Sequence, residues 1–249
     1  MNWNERGVVL TGASRGLGRG LARELAGRGA RLALVGRDPG PLEAVARAIR
    51  AGGGEAHALP ADLGDKEAIL PLAGTAQAAL GQVDAVIHNA SALGPSPLRL
   101  LLDTECEELE RALAVNLVGP FRLTKALAGP MALRGEGLVV HVSSDAAVSA
   151  YPTWGAYGAS KAALDHLARV WAAELEEFGV RFLSVDPGDM NTALHREAAP
   201  GDDPASLLDP DEVAARFAAL LDAVETEPHG ARVVLSAWRA PLPPAGVVP

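Results

Sequence analysis

Short apolar runs recur along the chain, separated by longer stretches whose apolar residues fall at helical spacing. Gly7–Leu10, Leu32–Val35, Ala56–Leu59, Val83–Ile87, Leu138–Val142, Val180–Val185 and Arg232–Leu235 read as strands, because short continuous apolar runs suit strands buried on both faces. Leu17, Leu21 and Leu25 mark one face of a helix. A longer helix is expected from about Gly155 to Phe178, with Leu164, Leu167, Trp171 and Leu175 along one side. That stripe serves either the core or a seam between subunits. Strands alternating with helices predict an α/β protein: a doubly wound parallel sheet with helices on both faces, three layers in all. Right-handed crossovers bring the strands' carboxyl ends to one edge, where such sheets bind ligands. No repeat or linker interrupts the pattern, so residues 1–249 are expected to form a single domain. Two stretches read as irregular: about 186–208, rich in Pro, Gly and Asp and a candidate lid, and the Pro-rich tail at 239–249.

Composition narrows the function classes. At 249 residues and 49% hydrophobic content the chain suits a soluble protein with one sizeable core. Its net charge of −9 argues against nucleic acid and anionic membrane as partners, since both reward clustered Lys and Arg. The lone cysteine, Cys106, has no partner for an internal disulfide and no activating His nearby in sequence, and is expected to pack on a helix. Met1–Arg6 lacks the apolar stretch of a signal peptide and no run reaches membrane-spanning length, so a cytoplasmic location is expected. The histidines at 57, 88, 141, 166, 195 and 229 are scattered without ligand spacing, so no metal site is expected.

The chemistry-bearing features follow strand ends or open helices. Tyr157-Gly158-Ala159-Ser160-Lys161 sets a phenol and an ammonium four residues apart, on one face of a helix. A cation beside a phenol favours the phenolate and lowers a pKa otherwise near ~10. The plain alternative is a packed Tyr and a solvated Lys. Ser144 stands thirteen residues upstream. Near the start, Thr11-Gly12-Ala13-Ser14-Arg15-Gly16-Leu17-Gly18 follows a strand and opens a helix. Glycines there let the backbone approach a pyrophosphate, whose charge meets the N–H groups and dipole of the helix start. The alternative is an ordinary Gly-rich turn, against which the strand-then-helix context speaks.

Taken together, the 11–18 turn, His88-Asn89-Ala90 after the fourth strand, Asn116, Ser144, the 157–161 segment and Pro187-Gly188 resemble the short-chain dehydrogenase/reductase family over residues 7 to about 235. The resemblance implies a Rossmann-type fold and an oxidoreductase, assembled as a homodimer or homotetramer. It implies that Gly12, Ser14, Arg15, Gly16, Leu17 and Gly18 hold a nicotinamide dinucleotide, that Asp62 and Leu63 touch its adenine, and that Asn89 and Ala90 form the turn beneath. Pro187, Gly188 and Thr192 are implied to lie over the cofactor. In the implied chemistry Ser144 and Tyr157 hydrogen-bond a substrate carbonyl and Tyr157 donates the proton. Lys161 holds the nicotinamide ribose and depresses the tyrosine's pKa, and Asn116 anchors a water for proton resupply. The chain departs from the pattern twice. It reads His88-Asn89-Ala90-Ser91 where the family has Asn-Asn-Ala-Gly, with His88 expected to pack or hydrogen-bond, and its last strand lacks the usual Asp-Gly-Gly turn.

Cofactor choice turns on Leu34-Val35-Gly36-Arg37-Asp38. An acid there holds a ribose 2′-hydroxyl, and an Arg accommodates a 2′-phosphate. Spacing alone selects Asp38, but the family pattern puts the acid directly after the strand, where this chain has Gly36, and the phosphate-binding base next, at Arg37. Arg15 is a second base, and guanidinium forks bind phosphate oxygens bidentately. NADP(H) is therefore expected over NAD(H). The alternative pairs Arg37 with Asp38 and leaves Arg15 in solvent. Asp189, Met190, Asn191, Leu194 and His195 are expected, with Thr192, to lie over the cofactor, and Ala146, Ser149, Tyr151 and Trp154 to line the opposite wall. Such a wall suits a small ketone or aldehyde. NADPH-dependent carbonyl reduction is the function expected, against NAD-dependent alcohol oxidation or a non-catalytic dinucleotide sensor.

Overall fold

The structure, a computed structural model, describes residues 1–241; most of the Pro-rich tail at 239–249 falls outside the described residues. Seven strands form one parallel sheet in the order β3-β2-β1-β4-β5-β6-β7. They are β1 (Gly7–Thr11), β2 (Arg31–Gly36), β3 (Glu55–Pro60), β4 (Ala85–His88), β5 (Gly137–Val142), β6 (Val180–Asp186) and β7 (Arg232–Val234). Each expected strand is present. The fourth starts two residues later than its apolar run, because Asp84 turns its carboxylate onto the Gly7 N–H at 2.8 Å.

Both faces of the sheet are covered, which explains the continuous apolar runs. Val8, Leu10, Leu32, Leu34, Val140, Leu183 and Val185 point into one layer with α1 (Gly16–Gly27), α2 (Pro39–Ala51) and α8 (Pro210–Asp222). Val9, Ala33, Val35, Val86, Val139 and Phe182 point the other way, toward α3 (Ile69–Leu80), α5 (Gly119–Arg134) and α6 (Gly155–Leu175). Alternate residues of each strand thus meet opposite layers, as the pleat requires. Helix starts follow local chemistry: Asp38 accepts from Gly40 N and Asp209 from Asp211 N, with Pro39 and Pro210 as first helical residues.

Three expectations change. The 186–208 stretch is not wholly irregular: Thr192 caps a short helix, α7 (Ala193–Ala198), by accepting from the His195 N–H, and Met190 pairs with Leu208. Cys106 opens α4 (Cys106–Leu113) with its side chain exposed, so it packs against nothing. The α6 stripe meets the core in part: Leu164 is buried, Leu167, Trp171 and Leu175 are half-buried, and Trp171 stacks on Phe182 and Phe121 at centroid distances of 6.2 and 5.8 Å. No helix among the described residues is long and apolar enough to cross a membrane.

Phe217 of α8 is fully buried in the first layer, among the leucines of α1. Phe217→Ala is expected to cost about 3–5 kcal/mol, read as a lower urea midpoint at unchanged m-value. A loss below about 1 kcal/mol contradicts this packing.

Candidate active site

β1 and β4 are neighbours although five elements separate them in sequence, and their following segments leave on opposite faces of the sheet. A crevice opens between them at the carboxyl edge. Thr11 and Asn89 stitch it. The Thr11 hydroxyl accepts from the Asn89 and Ala90 N–H groups at 3.0 and 3.1 Å, and the Asn89 amide donates to the Thr11 and Gly12 carbonyls at 3.0 Å each. This packing requires the first glycine. Gly12 has φ +69°, and a Cβ there would lie 2.7 Å from Asn89 Nδ2 and 2.8 Å from the Ala90 backbone. Arg15 offers α1 no capping side chain, so the first N–H groups of α1 stand without a side-chain partner and favour an anion.

All the predicted cofactor and catalytic residues except Asn116 line a single cleft. Gly12, Ser14, Arg15, Gly16, Leu17, Gly18 and Arg37 form one end, with Asp62, Leu63, Asn89 and Ala90 along it. Ser144, Tyr157 and Lys161 lie at the other end, with Pro187, Gly188 and Thr192. Arg15 and Arg37 are exposed at the rim, and among the described residues neither forms an ion pair or hydrogen bond. Asp38 spends its carboxylate on capping α2. Asp62 is engaged by Arg111, which donates to it at 2.7 Å, and by the Gly64 N–H at 2.8 Å.

The catalytic candidates converge through α6 and the end of β5. Tyr157 and Lys161 are 7% and 1% exposed, and the ammonium lies 5.6 Å from the tyrosine ring centroid. Lys161 Nζ donates to the Val142 carbonyl at 2.8 Å. Burial pushes the lysine down to about 8, with Asp165 one turn along the helix opposing it. The expected depression of the phenol by Lys161 does not occur. Burial pushes Tyr157 up to about 12, against hydrogen bonding from Ser144 and Ser91 that pulls it down. The reason is desolvation: a phenolate sealed beneath Trp154 loses more hydration than an ammonium committed to a carbonyl returns.

Asn116 sits outside the cleft, fully buried in a single π-helical turn (Ala114–Val118) between α4 and α5. Its amide donates to the Ala92 carbonyl and Ser160 Oγ at 2.8 Å each, and its oxygen accepts from the Ala92 N–H at 2.8 Å and from Ser91 Oγ at 3.3 Å. These four bonds use the capacity of the side chain, which braces the 91–92 loop.

Ser91, which replaces the family glycine, is the residue the sequence reading undervalued. It lines the cleft between Asn116 and the Tyr157 phenol. Asp145 was also missed: it lines the cleft and accepts from Ser144 Oγ at 3.0 Å and Tyr151 Oη at 2.7 Å. Of the expected substrate wall only Trp154 faces the cleft. Ala146 is buried behind Tyr157, while Ser149 and Tyr151 are exposed, because the chain after Ser144 turns through a 3-10 segment (Asp145–Ala147) that directs them outward. Asp189, Met190, Leu194 and His195 line the opposite side as expected; Asn191 instead accepts from Arg196. His88 packs, with Nε2 2.8 Å from Thr124 Oγ1.

Comparison with known proteins gives a concordant result. The family model described as "short chain dehydrogenase" matches residues 6–203. A 2,3-dihydro-2,3-dihydroxybenzoate dehydrogenase of Bacillus subtilis (strain 168) is 34% identical over 187 residues, covering 75% of this chain and 70% of that protein. A metagenomic short-chain oxidoreductase solved in complex with NADP superposes with a TM-score of 0.76 at 31% identity, covering 94% of this chain and 97% of the other. A 7α-hydroxysteroid dehydrogenase solved with NADH and a 7-oxo bile acid conjugate superposes with a TM-score of 0.84 at 26% identity, covering 94% of each.

A lysine whose folded pKa, about 8, lies below its ordinary value of 10.5 carries a penalty while it is charged. The penalty is fully present below pH 8 and fades as pH rises toward 10.5; at 1.36 kcal/mol per pH unit it amounts to about 3 kcal/mol. Lys161→Met is therefore expected to be more stable than the parent in denaturant melts at pH 7, with the advantage shrinking above pH 8. A destabilised variant at pH 7 contradicts this account.

Proposed function

The chain belongs to the short-chain dehydrogenase/reductase family, and from that premise we propose that it is an NADP(H)-dependent reductase of small ketones or aldehydes with Tyr157 as proton donor. One observation carries the reading: Ser144, Tyr157 and Lys161 meet at one end of a cleft whose other end is the glycine turn and the uncapped start of α1. The residues fit a dinucleotide. The turn brings bare backbone to the cleft, the α1 terminus suits a pyrophosphate, and the rim arginines suit a further phosphate. When bound, the cofactor supplies a hydride to the carbonyl carbon.

The chain's own residues do the rest. Ser144 Oγ donates a hydrogen bond to the substrate oxygen, where negative charge grows as the hydride arrives. Tyr157 gives its phenolic proton to that oxygen, and a phenol pushed up to about 12 is protonated at neutral pH. Lys161 holds the nicotinamide ribose. Ser91, donating to Asn116, stands beside the phenol. The apolar cluster of Leu93, Trp154, Leu194 and Ala198 around Tyr157 excludes water and suits a modest carbon skeleton. NADP(H) is preferred because Gly36 leaves the end of β2 without an acid, Asp38 is occupied as a cap, and Arg15 and Arg37 are unpaired among the described residues.

Titration by tryptophan-to-nicotinamide energy transfer, followed by depletion at 340 nm against diketones, quinones, aldehydes and pterins, tests both claims. NADPH is expected to exceed NADH by about 10–100-fold in kcat/KM, the worth of one charge-assisted phosphate contact, and Arg37→Asp is expected to remove that preference. Equal efficiency with the two cofactors sinks the preference. Tyr157→Phe should lower kcat by about 10²–10⁴-fold with NADPH still bound; undiminished turnover assigns the proton to another donor.

A further inference from the structure

We propose that Arg232, the first residue of β7, is a positioning residue that sets where the Ser144 hydroxyl stands. The proposal rests on the reductase reading above and adds to it a residue from a part of the chain that carries none of the recognised motifs. Three of its bonds reach three different strand ends or helices. Arg232 Nη2 donates to the Ser144 main-chain carbonyl and to Asp186 Oδ2, each at 2.8 Å, while Nε donates to Asp165 Oδ2 at 3.1 Å. The partners are interior groups: the side chains of Asp165 and Asp186 are 4% and 7% exposed, that of Arg232 16%.

Each partner leads directly to the site. The Ser144 carbonyl belongs to the residue whose hydroxyl meets the substrate. Asp186 ends β6 and, through Oδ1, accepts from the Gly188 N–H at 3.0 Å, so it shapes the Pro187-Gly188 turn that lines the cleft. Asp165 lies one helical turn beyond Lys161 and also accepts from Ser143 Oγ at 2.6 Å, which fixes the residue before Ser144. One guanidinium therefore grips the end of β5 from two sides and ties it to β6 and α6. A planar fork with several fixed donors can do this. A point cation such as Lys cannot span the same acceptors. Two buried carboxylates sharing one guanidinium also make the arrangement rigid, since releasing either leaves an unpaired buried charge.

The mechanical consequence concerns aim. Ser144 opens a 3-10 turn, and its hydroxyl also donates to Asp145 Oδ1. The Ser144 carbonyl also accepts from the Ala147 N–H at 3.1 Å within that turn; without the Arg232 bond the turn alone holds it, the peptide gains room to tilt, and the hydroxyl follows. A misplacement of about 1 Å at a reacting group costs on the order of 100-fold in rate.

A double-mutant cycle on kcat and KM tests this, using wild type, Ser144→Ala, Arg232→Met and the double variant with NADPH and the best carbonyl of the panel. Arg232→Met is expected to lower kcat by about 30–100-fold in the parent but by less than about threefold when Ser144 is already Ala. The KM for NADPH is expected to stay within about threefold of the parent value. The same factor in both backgrounds overturns the proposal, because a general structural loss multiplies with the Ser144 loss instead of being absorbed by it. A raised KM for NADPH at unchanged kcat also overturns it and places the guanidinium's effect at the Pro187-Gly188 turn. If Arg232→Met does not fold by circular dichroism, Arg232→Lys keeps a charge for the carboxylates and is put through the same cycle with the same criteria. A wild-type protein that binds NADPH but reduces nothing refutes the reductase reading itself, and this proposal with it; a wild type that turns over with equal factors refutes this proposal alone.

Discussion

The seam between Thr11 and Asn89 is the constraint on which the rest of the site depends. A parallel sheet whose crossovers reverse direction must leave a crevice between the two strands where the reversal occurs, here β1 and β4. The backbone groups at such a crevice lack ladder partners and have to be satisfied in another way. The chain supplies one hydroxyl and one amide that do so from both sides, and these bonds hold the glycine turn against Ala90 without an intervening side chain. The mouth of the cleft is thus fixed by hydrogen bonds between strands rather than by loop packing, and α1 starts from a rigid base.

Desolvation sets the state of the groups beneath. His88 and His141 lie on adjacent strands with ring centroids 5.1 Å apart, and burial pushes both down, His141 to about 3. Register pairs carry that row onward from His141 to Ser184 and from Ser184 to Arg232. Because both imidazoles stay neutral at physiological pH, Lys161 and Arg232 are the cations of this buried region and Asp165 and Asp186 its anions. Charges balance locally, and Lys161 is consequently left under strain from burial alone. That strain is the expected companion of function: an ammonium sealed near a phenol is poorly solvated until a ligand gives it a partner.

How much of this was legible in the sequence depends on the scale of the feature. The seven strands were readable because both faces are covered, which writes a continuous apolar run at each one. The glycine turn and Tyr157–Lys161 were readable because their spacing is local to one turn or one helix. Cross-strand geometry left no such trace. Nothing in Arg232-Val233-Val234 tells which carboxylates its side chain meets; only the β6–β7 register and the rotation of α6 bring Asp165 and Asp186 there. Ser91 was visible as a departure from the family pattern, yet its closeness to Tyr157 needed the π-helical turn that places Asn116 beneath it. Ala146, Ser149 and Tyr151 misled for a related reason: proximity in sequence to Ser144 says nothing about the sense of a 3-10 turn.

The two ends of the cleft differ in charge, and on the proposed reading that difference does orienting work. Arg15, Arg37 and the α1 terminus make one end positive, whereas Asp145 and Asp189 line the mouth of the other, above Lys161 and the Asp186 paired with Arg232. The Asp189 carboxyl is pushed up by burial first and by Asp145 next, with His195 pulling it down, which shows the two mouth carboxylates sensing each other across the opening. A chain with a net charge of −9 repels an anionic cofactor at long range. Attraction is confined to the arginine end, within about a Debye length, ~8–10 Å at physiological salt. A dinucleotide carrying its phosphates therefore meets the glycine turn first, and the acidic end rejects the reversed orientation before any specific contact forms. The nicotinamide ring would then be directed toward Tyr157 by exclusion as much as by recognition. On that reading an acidic protein takes a polyanion in one sense through where its unpaired guanidiniums stand, not through its overall charge.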